Sequence, residues 1–149
     1  MVDVALLRKT LDHITMLATS REVSFDRWNQ GTWLKTTVQH FVGAEYDSKC
    51  GTAACFAGWT CVLSGRPMVM RRFVDAPCPC GDRAECNNRI NFTDWGVDID
   101  GKWSTIQDAA QQLLGLNDDQ ASDLFAGQNN LAALEILVED LIEKAEADA

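Results

Sequence analysis

The decapeptide Cys50-Gly51-Thr52-Ala53-Ala54-Cys55-Phe56-Ala57-Gly58-Trp59 limits the fold of this chain more than any other stretch. From Thr52 to Ser64, apolar or small residues fall on nearly every side of a helical projection. A helix that is apolar all round has no solvent face, so other elements must surround it. Its glycines and alanines let those neighbours come close. Gly65 then supplies a left-handed stop, and Pro67 blocks continuation. This stretch is expected to be the buried central helix of a mainly α protein, with Cys50, Cys55 and Cys61 as inert structural thiols.

The flanking sequence supplies helices to surround it. Val4, Leu7, Leu11, Ile14 and Leu17 recur at helical spacing behind an Asp3 cap, predicting a helix that ends near Ser20. His13 falls off that apolar stripe and is expected on the helix surface. Trp28 and Trp33 flank a turn at Gly31, and burial over the core is the expected place for both. Ser104-Thr105-Ile106-Gln107 reads as a capping box, followed by the stripe Ile106, Ala109, Ala110, Leu113, Leu114 and a stop at Gly115. Asn117 with Gln120 forms a second box, with Leu116 and Ala121 as a hydrophobic staple and a stop at Gly127. A last helix starts near Asn130 and is expected to bury Leu134, Leu137, Val138, Leu141 and Ile142. Short connections between three such helices imply a bundle.

Between 66 and 103 the helical period disappears. Val69, Arg71 and Phe73 alternate, and Asp100-Gly101 between Val97-Asp98-Ile99 and Lys102-Trp103 signals a hairpin. The fold class expected is mainly α: a compact helical bundle with a small irregular β-containing insertion over about 66–103. The 149 residues suit a single domain over 1–149, large enough to bury about two thirds of the unfolded surface without cross-links. No apolar run approaches the roughly 20 residues that span a bilayer. Met1-Val2-Asp3 opens into an amphipathic pattern, without the basic flank and apolar block of an export signal. A cytoplasmic protein is expected, and in that compartment the six cysteines would be free thiols or metal ligands.

The net charge of -9 is unevenly spread: residues 104–149 hold ten acidic residues and one basic residue, Lys144, while 1–103 hold twelve of each. Such a field repels phosphates, which argues against direct nucleic-acid binding, and attracts basic partners. The plainer role of the same charges is a solvated helical face.

The pattern Trp28-x-Gln30-Gly31-x-Trp33, then Cys50-Gly51-Thr52-x-x-Cys55-x-Ala57-Gly58, then Ala109-Ala110 and Leu113-Leu114-Gly115-Leu116 before Leu124-Phe125, resembles a family of small uncharacterised proteins. They occur in actinobacterial phages, notably mycobacteriophages, and in their hosts. The resemblance covers most of the chain except 66–103, which is longer and richer in cysteine than is typical of the family. It implies a phage or actinobacterial cytoplasmic origin and a role in modulating the host cell, and brings no enzymatic activity with it.

Four chemistries compete. Cys78, Cys80 and Cys86 could supply three zinc ligands from one loop, the fourth coming through the fold from His40, Cys50 or Cys61. Cys50 near a helix N-terminus, with His40 as base, could be a nucleophile. Asp94, Asp98 and Asp100 before Gly101 faintly resemble a calcium loop, but Gly96 and Gln107 stand where its first and last carboxylates belong, so a hairpin turn is the better reading. The favoured reading is a non-enzymatic protein that binds a host macromolecule, a protein above all, through acidic helices or through insertion aromatics such as Phe92 and Trp95. Mimicry of DNA by the acidic third is one form of it. No cofactor is required, and self-association is open.

Overall fold

The computed structural model describes residues 1–19, 28, 30, 40–42, 54–73 and 92–149, with side chains at all of these except 40–42, 70–73 and 92–95. In chain order the elements are α1 (Val4–Thr19), β1 (His40–Val42), α2 (Phe56–Leu63), β2 (Pro67–Phe73), β3 (Phe92–Ile99), β4 (Lys102–Thr105), α3 (Ile106–Leu114), α4 (Asp118–Phe125) and α5 (Leu131–Ala147). The fold is mainly α with a small antiparallel sheet, as the sequence pattern implies.

Helix α2 is the dry centre. All of Phe56 to Val62 is buried, and Phe56, Ala57, Trp59, Cys61 and Val62 expose none of their surface. Burying a large apolar side chain this completely stabilises by roughly 1.5–3 kcal/mol. The helix starts at Phe56, four residues later than the composition suggests. Ala54 instead forms a parallel bridge with Trp28, and Cys55 takes an extended backbone (φ -76°, ψ -175°) as the N-cap. The cap is what sets the start, because its side chain reaches the N–H of Gly58 only from that non-helical conformation.

A dry helix end cannot pass its free N–H groups to water. The Phe56 N–H donates to Gln30 Oε1 at 3.0 Å, and the Gly58 N–H to Cys55 Sγ at 3.5 Å. Gln30 is itself buried; its Oε1 also accepts from Trp28 Nε1 at 3.2 Å, while its Nε2 donates to the Leu124 carbonyl at 3.1 Å. One amide thus joins the Trp28 segment, the start of α2 and the end of α4. Sequence reading met Gln30 only as part of the Trp28-x-Gln30-Gly31-x-Trp33 pattern and gave it no structural role, because its partners Phe56 and Leu124 lie far away in the chain.

Helix α1 buries Leu7, Thr10, Ile14 and Leu17, and Asp3 Oδ1 caps it by accepting from the Leu6 N–H at 2.9 Å. Thr10 takes the place expected of Leu11, which is only half-buried. Opposite it, the Thr60 hydroxyl lies 3.4 Å from that of Thr10 and donates back to the Phe56 carbonyl at 2.9 Å. His13 departs from its expected surface position. It is half-buried, its ring 4.6 Å from that of Trp59 at 60°.

The sheet order is β1-β2-β3-β4, all antiparallel, with Phe41 opposite Met68, Met68 opposite Val97 and Val97 opposite Ser104. It gains β1 from the N-terminal third, outside the 66–103 segment. Met68, Val97 and Ile99 belong to the same core as the helices. Asp100 and Gly101 both have positive φ (53° and 83°), the requirement of a two-residue hairpin turn of the twist-matching kind. Asp98 Oδ1 closes it by accepting from the Gly101 N–H at 2.7 Å, and Asp100 pairs with Arg66 at 2.9 Å. Trp103 of β4 lies across Gly96 of β3 and donates from Nε1 to the Val69 carbonyl of β2 at 3.1 Å. Any Cβ at Gly96 would run into that indole.

Thr105, one residue later than Ser104, is the N-cap of α3, accepting from the Asp108 N–H. Thr105 is also the last residue of β4, opposite Gly96, so the strand runs into the helix with no intervening loop. Gly115 ends α3 in the left-handed region (φ 67°), against the Met1 backbone, and the Asp3 N–H donates to the Leu114 carbonyl. Asn117 and Gln120 form the expected reciprocal box before α4, Leu116 and Ala121 are both buried, and Asn130 caps α5.

Replacing Gln30 by alanine would orphan the buried Phe56 N–H, at a cost of about 1–3 kcal/mol, whereas the Leu124 carbonyl would keep the Asn129 Nδ2 donor at 3.1 Å. We expect Gln30→Ala to lower unfolding free energy by about 1–3 kcal/mol in urea titration; a loss under about 0.5 kcal/mol would show that the amide does not hold the two helices. Gly96→Ala should also destabilise, and Trp103→Ala should only partly rescue it, because the Ser104 carbonyl also crowds the new methyl group at 2.5 Å.

Candidate functional site

The two described thiols are poor nucleophiles by placement. Burial pushes the Cys55 thiol up from 9.0 to about 11, against the opposing pull of the Gly58 and Ala57 N–H groups. Cys61 is raised further by complete burial and by the nearby Cys55, and its Sγ donates to the Ile106 carbonyl at 3.5 Å. A nucleophile needs its thiolate accessible near neutral pH, and neither sulfur has one.

The other nominated residues fall as follows. Cys50, Cys78, Cys80 and Cys86 lie outside the described residues, and so does Trp33. His40 is on the edge strand β1, opposite Val69. Helix α2 begins six residues after Cys50, so the N-terminal field proposed to activate that thiol belongs to Cys55. Phe92 and Trp95 are on β3, opposite Phe73 and Met70, with their side chains outside the description. Asp98 and Asp100 serve the hairpin turn. Among the described residues no group of three or more His, Cys, Asp or Glu side chains is arranged to hold a metal ion. Cys61, suggested as a distant ligand, is committed to the core.

The polar chemistry that is laid open belongs to α3, α4 and α5. All ten carboxylates from Asp108 to Asp148 are exposed. On the α1 side, Arg8 stands 3.9 Å from Glu139 and 3.8 Å from Glu146, exposed pairs worth at most about 1 kcal/mol each. On the other side of α5, a groove of about 140 Å³ runs between α4 and α5. Leu124, Leu137 and Leu141 line it together with Asp123 and Asp140, and Lys144 closes one end. Neither aspartate has an ion-pair partner among the described residues. Helical spacing produces the arrangement: 137, 140, 141 and 144 share one side of α5, as 120, 123 and 124 share one side of α4. Ile136, one turn before Asp140, is 64% exposed. Sequence reading counted these acids but missed the groove, because which helix lies beside α5 is not written in its own period.

Compared with protein-family models, curated proteins and solved structures, the chain matches nothing. Among the described residues no helix is long and apolar enough to cross a membrane.

A thiol whose folded pKa is raised keeps its proton where the unfolded chain would lose it, so stability is unaffected below about pH 9 and falls as pH climbs through 9 to about 11. Urea titrations at about pH 8 and about pH 10 should show that loss from both buried thiols, Cys55→Ala should remove about half of it and Cys55→Ala/Cys61→Ala most of it; a loss unchanged by Cys55→Ala would place that sulfur in water. In a variant keeping only Cys55 and Cys61, labelling by a thiol reagent should be at least about a hundredfold slower in the folded than in the unfolded chain.

Proposed function

We propose that this chain is a non-enzymatic protein that acts in the host cytoplasm by binding a host macromolecule, a protein, through the acidic surface of α4 and α5. One observation carries the reading: the described thiols are dry and protonated, while every carboxylate of the last three helices faces solvent with a single lysine among them. A surface of one sign keeps the chain soluble and also sets up a directed field that speeds encounter with a basic partner. The same field opposes phosphate, which disfavours nucleic acid as the direct ligand. The resemblance to phage proteins supports a host target, and the spread of the charges over two adjacent helices supports the outer side of that helix pair as the working part.

Affinity capture from an actinobacterial lysate tests this. The unaltered chain should retain one protein reproducibly. Recovery should fall about tenfold when Asp123, Glu135, Asp140 and Glu143 are changed to lysine, and fall likewise with rising salt. Equal recovery of the same proteins by both chains, or no enrichment at all, would overturn the reading.

A further inference from the structure

We propose that the groove between α4 and α5 is the docking site itself, and that its occupant is a basic amphipathic segment of the partner that inserts one leucine- or methionine-sized side chain between flanking lysines or arginines. This rests on the binding function proposed above and names the chemistry of its ligand.

The groove offers an apolar floor and an acidic rim in one place. Leu124 and Leu141 are buried at its base, exposing 0% and 7% of their surface, and Leu137 is half-buried beside them. Its volume of about 140 Å³ is close to the ~150 Å³ that accommodates a benzene ring in an apolar cavity, so it takes one side chain rather than an extended ligand. Asp123 and Asp140 flank this floor from the two helices, without ion-pair partners among the described residues. They are free to receive cations on either side of an inserted apolar group. Lys144 stands two turns along α5 from Leu137, about 10 Å away, so it bounds the groove without neutralising the Asp123 end.

Ile136 is an exposed apolar side chain outside the groove lining, about 100° round α5 from Leu137. It stands four residues before Asp140 and next to Leu137, and it is one of the few large aliphatic side chains left exposed among the described residues. A helical ligand laid across α5 that seats one side chain in the groove can set a second apolar residue, at i+3 or i+4, against Ile136. That is the spacing of an amphipathic helix laid in a groove. The acidic rim selects the charge of its polar face, whereas an acidic or neutral helix would leave Asp123 and Asp140 repelled or unpaired.

The test uses a defined probe: an end-capped peptide with leucines at i, i+3, i+4 and i+7 and lysines between them, titrated against the full chain by fluorescence anisotropy, with amide shifts followed by NMR. Saturable one-to-one binding is expected, with shifts concentrated on α4 and on α5 from Ile136 to Lys144. Affinity should fall about tenfold in Asp123→Asn/Asp140→Asn, and also in Leu137→Ser once circular dichroism shows that variant folded. The charge-matched Asp12→Asn/Asp108→Asn variant, altered on α1 and α3 and away from the groove, should stay within about twofold of the unaltered chain. Equal loss in both double variants, equal binding of a Leu→Ser peptide, shifts located elsewhere or no saturable binding would each overturn the docking site. If the peptide fails while lysate capture still depends on the acidic helices, the binding function stands and only its location here is wrong; if capture fails as well, both fall.

Discussion

A helix sealed from water must find partners inside the protein for the N–H groups of its first turn, and the rest of this architecture follows from how α2 does so. Gln30 and Cys55 provide the acceptors. Because Gln30 also holds the Leu124 carbonyl and the Trp28 indole, satisfying one helix end brings together three parts of the chain that are far apart in sequence. The low dielectric that strengthens these bonds also makes each one costly to lose, so a few polar atoms decide how the helices stack.

The same dryness governs the sulfur chemistry. A thiol used as a helix cap inside a core is surrounded by donors that favour the anion, yet burial outweighs them and the proton stays on. Cys55 therefore acts by geometry and not by reactivity. With Cys55 and Cys61 inside, the exposed chemistry of α3, α4 and α5 is that of their carboxylates, and the binding proposal stands on that division of labour.

The sheet is a second wall of this core. Met68, Val97 and Ile99 close the space that the helices leave open, and Trp103 ties β4 to β2 across the missing side chain of Gly96. The turn at Asp100 and Gly101 joins β3 to β4, and β4 runs straight into α3. Thr105 serves strand and helix together, lying opposite Gly96 in the ladder while its hydroxyl accepts from the Asp108 N–H.

Local rules were legible in the amino-acid order: the caps at Asp3, Asn117 and Asn130, the left-handed stops at Gly65 and Gly115, the Asp100-Gly101 turn and the buried character of α2 all depend on neighbours within a few positions. The ten acids and their clustering in the last third were also plain, since charge is counted residue by residue. What the order of residues could not disclose is who meets whom across the fold. Gln30 reaching Phe56 and Leu124, His13 lying against Trp59, β1 joining the sheet, and Asp123 facing Asp140 over three leucines each need elements packed side by side at a particular offset. Periodicity tells a helix which face to bury, but the partner and the offset come from filling one shared interior without voids or unpaired polar atoms, and that is settled only by the whole chain at once.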